Sequence, residues 1–309
     1  IIKLKYIEVI GFEFYAFPAS IIKSDNILVC VLSFKSLSNT LYICYRSLIG
    51  KKSFFWGHSR NFSKSSYLES FKNYVKLQAI RFSSGVLAYT EKEKKRFELF
   101  GIQSNKITVL NNTIDSDSIL EITESLPDRT ISQIAQRYSL ENKRVIGLVG
   151  RLHKLRNTEF GILAFINLEK SHSDLVFLII GGGDDYLYLK NKYVMQKNIV
   201  FLGAIEDEKL LAPIIYNISF FINPGLVGLN IAHTMMYGKT TVVMDNKYHS
   251  PEIDYLIPDY NGILTDNSME SFQNGISRLL NDSLLLAELS NNSFIYAKAN
   301  LTIDNMAKS

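Results

Sequence analysis

Residues 223–262 read NPGLVGLNIAHTMMYGKTTVVMDNKYHSPEIDYLIPDYNG, and the punctuation of that stretch decides the fold. The apolar run 218–222 has strand length and stops at Asn223-Pro224-Gly225, where proline removes a ladder donor. Leu229, Ala232 and Met236 then recur at helical spacing, and Gly238 stands where a C-terminal cap belongs. A second apolar run, 240–244, follows at once. Strand, glycine turn, helix, strand is the unit of a parallel α/β sheet, and ligands bind at the carboxyl edge where such turns lie. The amides and positive dipole end of the helix predict an anion site at Gly225, Leu226, Val227 and Gly228, with phosphate the expected anion.

The alternation continues outward. Upstream, strand 145–149 meets Gly150-Arg151-Leu152, strand 175–180 meets Gly181-Gly182-Gly183-Asp184, and strand 199–202 meets Gly203. Helical segments at 158–168, 185–194 and 207–216 separate them, and helices at 268–280 and 283–297 complete this half. Apolar runs closed by glycine and spaced by helices predict a doubly wound parallel sheet. The first half shows strands at 27–32, 53–56, 85–89 and 107–110, with helices at 37–48, 72–82 and 91–100. Thr90 has the position of an N-cap, with Glu93 as its capping-box partner. Residues 1–25 give no clear assignment. The polar stretch 116–142 carries Pro127 and reads as a domain boundary, so the expected domains are 1–141 and 142–309.

A chain of 309 residues is long enough for two domains, and 47% hydrophobic content is that of a protein with a full core. The net charge of +4 suits an anionic ligand or membrane surface, and equally suits ordinary solvation. There is no basic run interleaved with aromatics, which argues against nucleic acid as a partner. Cys30 and Cys44 lie in apolar surroundings and read as buried reduced thiols; neither zinc spacing nor a signal peptide is present. Residues 210–238 lack Lys, Arg, Asp and Glu and are long enough to cross a bilayer. Pro213, Asn217, Asn223, Pro224, Gly225, Asn230 and His233 interrupt them, so two buried elements flanking a ligand turn are expected instead. The chain opens on Ile1 and closes on a helix-like segment, 301–309, that looks cut short; a fragment is expected at both ends, chiefly the first.

Several residues at these edges are candidates for chemistry. Arg151, Lys154 and Arg156 follow Gly150; they suit a diphosphate, or are solvated loop charge. Gly182 and Gly183 follow a strand and open a helix, either as a tight turn or as part of a nucleotide site lacking the third glycine of the dinucleotide fingerprint. His233, after the glycine turn, is a satisfied structural histidine or faces the ligand. Glu252, after Pro251, is a helix-start carboxylate or a ligand contact. His58 follows a strand end in the first half and is structural or catalytic. Asp184 and Asp185 read as helix-start residues, and no metal ligand is assigned.

Taken in order, these pieces resemble the nucleotide-sugar glycosyltransferases of family 4, the group 1 glycosyltransferases of the GT-B fold. The matching stretches in the second half are GRLHKLRNTEFGILAF (150–165), FLIIGGGDD (177–185), IVFLGAI (199–205), PGLVGLNIAHTMMYGKTTVV (224–243) and PEIDYLIPDYNGIL (251–264). In the first half they are WGHS (56–59), GVLAYTEKEKKRFELFGI (85–102) and VLNNTID (109–115). The likeness covers residues 50–265. It implies two Rossmann-like doubly wound domains facing across a cleft, the N-terminal one incomplete. It implies transfer of a sugar, with retention, from a nucleotide diphosphate sugar to a saccharide or lipid-linked acceptor. The setting implied is bacterial surface polysaccharide or lipopolysaccharide synthesis, in the cytoplasm or loosely held at the inner face of the membrane.

In that reading Arg151, Lys154, Arg156 and residues 225–228 hold the diphosphate. Gly182, Gly183, His233 and Glu252 meet nucleoside and sugar, and His58 faces the reacting centre. Neither a metal nor a cofactor beyond the substrate is expected. The chain departs from the family at three points: the paired glutamates fall at Gly225 and His233, Arg156 stands where lysine is usual, and the strand and Gly-rich loop expected at the start of the first domain are not found before Ile27. The alternatives are a nucleotide-sugar 2-epimerase of the same architecture and a degenerate, non-catalytic nucleotide-binding protein.

Overall fold

The computed structural model describes residues 4–9, 12–59 and 67–309. The chain forms two compact units, Ile1–Asn112 with Ala307–Ser309, and Thr113–Met306.

The second unit is built on six parallel strands in the order Ile263–Thr265, Thr241–Met244, Phe220–Asn223, Arg144–Val149, Leu175–Ile180, Ile199–Gly203. The chain starts in the middle, steps outward through two strands, and returns through the helix Glu208–Tyr216 to the other side of its first strand. Strand order therefore reverses between Arg144–Val149 and Phe220–Asn223, and the carboxyl ends of those two strands form the crevice where doubly wound sheets bind ligands. Every residue of Leu175–Ile180 is buried, as a strand covered on both faces requires. One face packs on Leu211, Ile214, Ile231 and Met235, the other on Ile162, Phe165, Phe272 and Ile276. Residues 210–238 resolve into helix, strand, turn and helix, and no helix among the described residues is long and apolar enough to cross a membrane.

The first unit holds a four-stranded parallel sheet wound in one direction, Leu28–Val31, Ser53–Gly57, Gly85–Ala88 and Ile107–Val109. An antiparallel hairpin, Lys5–Val9 with Phe12–Ala16, occupies the region that gave no assignment. Thr90 caps Glu91–Leu99 by accepting from the Glu93 amide, and the Glu93 carboxylate accepts from the Ser59 amide at 2.7 Å. Arg46, fully buried in the helix Leu37–Leu48, donates through Nη1 to the carbonyls of Ile21, Ile22 and Ser24, and through Nη2 to those of Asn26 and Lys52. Cys30 is buried, which pushes its thiol up to about 11, whereas Cys44 is only half-buried.

The domain boundary differs from expectation. It lies between Asn112 and Thr113, well before residue 142. The polar stretch forms two helices, Ser116–Ser125 and Asp128–Arg137, that belong to the second unit. Ile119 and Leu140 enter its core, and Asn217 Nδ2 donates to the Ile131 carbonyl at 3.0 Å. Apart from the buried Ser116, the Ser, Asp and Glu content that suggested a linker lies mostly on the solvent side of these two helices.

Candidate functional site

The two turns at the switch point share one buried arginine. Leaving the strand Arg144–Val149, the chain passes Gly150-Arg151-Leu152 and enters the 3-10 turn Lys154–Arg156. Arg156 is 7% exposed, and its Nη1 donates to the Leu226 carbonyl at 2.6 Å and to Asn230 Oδ1 at 3.1 Å. Its Nε has no partner, and no carboxylate pairs with it among the described residues. Burial alone pushes the guanidinium down to about 10, still charged at neutral pH. An unpaired buried cation is costly, and an anion at this edge of the sheet would offset that cost.

Two glycines make room for it. At Gly150, with φ +131°, a Cβ would stand 2.5 Å from Arg156 Nη2. At Gly225 a Cβ would stand 2.3 Å from the Arg156 carbonyl carbon and oxygen. No side chain fits at 225, so the glutamate that the resemblance places there is excluded by backbone, not merely absent.

The turn amides correct one expectation. Leu226 N–H donates to the Leu155 carbonyl at 2.8 Å, Val227 N–H to His249 Nδ1 at 3.1 Å, and Gly228 N–H to Asn230 Oδ1 at 2.9 Å. These donors build the turn and are not open to an anion. The amides of Leu229 and Asn230, one step along, have no partner among the described residues. His249 is buried; Nδ1 accepts from Val227 while Nε2–H donates to the Met244 carbonyl at 3.0 Å, so the ring is neutral with its proton on Nε2. Burial pushes its pKa down, against the pull of the Met244 carbonyl and Asp245. Asn230 carried a sequence signal, an amide side chain at a helix start. His249 carried none, because its partners are set by tertiary folding.

The other candidates separate into distinct places. Arg151 lies at the rim, 3.4 Å from Asp184, with both side chains more than two-thirds exposed, so the pair itself contributes little. With Gly150, Gly182, Gly183, Ala204 and Glu206 it lines a cleft of about 380 Å³ at the carboxyl ends of the strands. Gly183 has a packing role as well: a Cβ there would be 2.3 Å from the Leu152 carbonyl oxygen, and one at Gly181 would be 1.9 Å from that of Gly150. Gly182, whose nearest neighbour is Ala204 at 3.4 Å, is free to present surface. Lys154 does not line that cleft. It lines a separate hollow of about 270 Å³ with Asn157, Pro224, Gly225, Asn246 and Tyr248.

His233 sits on the helix Asn230–Met236 with Nε2 2.9 Å from Glu208 Oε1. Glu252 is buried in the 3-10 turn Pro251–Tyr255. His58 belongs to the first unit, where its carbonyl accepts from Lys76 Nζ and its ring packs edge-on to Tyr89. Asp185 starts the helix Tyr186–Lys192, and the described residues contain no cluster of three or more His, Cys, Asp or Glu fit to hold a metal.

Residues 143–282 match the family described as Glycosyl transferases group 1. An uncharacterised glycosyltransferase of Methanocaldococcus jannaschii is 28% identical over 204 residues, 62% of this chain and 51% of that protein. The chain thus spans about half the length of that curated relative. Among solved structures, Anabaena HepE in complex with UDP matches 94% of this chain and 79% of its own, with a TM-score of 0.73 at 16% identity. TarM of S. aureus matches 92% of this chain and 54% of its own, with a TM-score of 0.67 at 13% identity. Sucrose-phosphate synthase of Thermosynechococcus elongatus matches 91% and 71%, with a TM-score of 0.67 at 15% identity. At these identities the likeness establishes the fold: two Rossmann-like α/β units of the GT-B type.

Proposed function

We propose that the protein is a glycosyltransferase, as the match of residues 143–282 to the group 1 glycosyl transferases supports, and that it transfers a sugar from a nucleotide diphosphate sugar to a saccharide or lipid-linked acceptor. The observation that carries this reading is Arg156, a buried guanidinium at the switch point with unused donors and no carboxylate. In the transfer, the bond from the anomeric carbon to the diphosphate oxygen breaks while an acceptor hydroxyl oxygen bonds to that carbon and gives its proton to the departing diphosphate oxygen. Negative charge accumulates on the departing diphosphate. A preorganised cation in a water-poor site, with the Leu229 and Asn230 amides beside it, stabilises that charge where it develops. Arg151 adds screened charge at the rim, and the cleft with Gly182 and Ala204 takes the nucleoside. No protein nucleophile is assigned, and none is required if the attack is front-face with retention. His58 is assigned to turnover rather than donor binding.

Calorimetry with UDP tests the core of this. Arg156→Ala should weaken binding roughly ten- to hundredfold, the worth of a charge-assisted phosphate contact. Unchanged affinity would remove Arg156 from the site. His58→Ala should lower turnover with little change in UDP affinity; equal losses would mark it as structural. By family likeness the reading extends to surface polysaccharide synthesis, metal-independent activity and peripheral association with the membrane. Activity lost on exhaustive chelation and restored by Mg²⁺ or Mn²⁺ would overturn the metal part and point to Asp184 and Asp185.

A second reading, a nucleotide-binding protein without turnover, is favoured by the same closure at Gly225, since a family carboxylate is missing there. UDP binding with no UDP released from any donor and acceptor pair would support it.

A further inference from the structure

Glu208 opens the helix Glu208–Tyr216, two residues after Glu206 on the rim of the cleft. Its Oε1 accepts from Tyr237 Oη at 2.5 Å and lies 2.9 Å from His233 Nε2. Both partners come from the helix Asn230–Met236 and its C-cap, the helix that follows the glycine turn. Tyr237 is buried, and the side chains of His233 and Glu208 are 14% and 24% exposed. Oε2 of Glu208 has no partner among the described residues. The carboxylate is thus gripped by one oxygen and open at the other.

A clasp between two helices accounts for the gripped oxygen; the open one belongs to the first residue of a helix that follows the carboxyl end of the strand Ile199–Gly203, the ligand edge of the sheet. Burial works to raise the Glu208 carboxyl, and the bonds from His233 and Tyr237 outweigh it, holding the group below its usual range and therefore ionised. An ionised carboxylate at the carboxyl edge of a doubly wound sheet is suited to accept hydrogen bonds from ribose hydroxyls.

We propose that Glu208 is the residue that accepts hydrogen bonds from the ribose of the bound nucleoside diphosphate, and that His233 and Tyr237 are positioning residues that aim it. This rests on the donor-site reading above and replaces the expectation that His233 itself meets the nucleoside. The carboxylate is supplied from the neighbouring helix, while the helix after the glycine turn supplies only the grip.

Calorimetry on the full chain with two probes, UDP and UDP lacking the 2′ and 3′ hydroxyls, tests it. The unmodified chain should prefer UDP about tenfold or more, the scale of hydrogen bonds to a charged group. Glu208→Gln should remove most of that preference, and melting curves check that the fold persists. His233→Ala should reduce the preference, and His233→Gln, which keeps a donor near the Nε2 position, should restore it. A Glu208→Gln protein with the full preference overturns the assignment, as does an unmodified chain that binds both probes equally. No UDP binding by the unmodified chain overturns the donor reading itself, and this assignment with it.

Discussion

Each unit buries an arginine, and the two guanidinium groups do different things. Arg46 gives both terminal nitrogens to main-chain carbonyls of the 21–26 segment and Lys52, so its hydrogen-bonding capacity is nearly filled within the first unit. Arg156 uses one terminal nitrogen for Leu226 and Asn230 and leaves Nε unpartnered at a sheet edge. Neither pairs with a carboxylate among the described residues. Nε is unpartnered in both, so the contrast lies in the terminal nitrogens: those of Arg46 are both engaged by the chain, whereas Arg156, proposed above to meet the diphosphate, engages only one.

The largest effect that would test this contrast is expected at Arg46. Arg46→Met should destabilise the first unit by about 4 kcal/mol, because five part-buried carbonyls lose the guanidinium that they share. Urea unfolding would show it, and a loss under about 1 kcal/mol would mean water replaces the guanidinium freely. Next comes Gly225→Ala, expected to cost about 2–3 kcal/mol by forcing the turn off the Arg156 backbone. A thermal melt that does not move would show the turn to be pliable and reopen position 225 to a carboxylate.

Arg156→Ala should shift UDP affinity by about 1.5–3 kcal/mol while moving stability much less, the reverse of Arg46. A stability loss as large as that of Arg46→Met would erase the distinction between the two arginines. A smaller effect follows from His249, whose pKa is lowered from 6.5. The unfolded chain takes up a proton first as pH falls, so the stabilisation is present above about 6.5 and is lost as pH drops through the folded value. Melting temperature should therefore fall from pH 7.5 towards pH 5 along with the grip on Val227, and His249→Gln should flatten the slope. His153, also lowered by burial, keeps part of the slope in that variant. Smallest is Arg151→Ala, expected to weaken UDP binding only about two- to threefold and less in high salt, because its side chain is 71% exposed.

Sequence reading succeeded where burial imprints a pattern. Leu175–Ile180 is buried on both faces and reads as unbroken apolar residues; the glycines that follow mark its end. It failed where burial is weak. The hairpin strand Lys5–Val9 is exposed at every residue, so no alternation reaches the sequence. Ser116–Ser125 and Asp128–Arg137 bury only a narrow side each, and their polar residues masked them. At the site, position on a sheet edge was legible from Gly150 and Pro224, and Arg156 with it. That Leu226, Val227 and Gly228 already use their amides was not, because two of the three acceptors, Leu155 and His249, are remote in sequence. Glu208 was invisible for the same reason: its partners, His233 and Tyr237, lie on another helix.

The backbone seam between the turns at 150–152 and 181–183 limits how this protein can diverge. Any side chain at 181 or 183 collides with a carbonyl oxygen, and Leu152 N–H is bonded to the Gly182 carbonyl at 2.7 Å, so neither turn can shift without the other. Point mutation has little purchase there. If the cleft takes the nucleoside as proposed, a lineage adapting to a different base would change the opposite wall, Ala204, Ile205 and Glu206, which borders the same cleft without that interlock. On that proposal a mutant library confined to those three positions would sample most of the nucleoside preference open to this scaffold, whereas one confined to Gly181 and Gly183 would yield mainly unfolded protein.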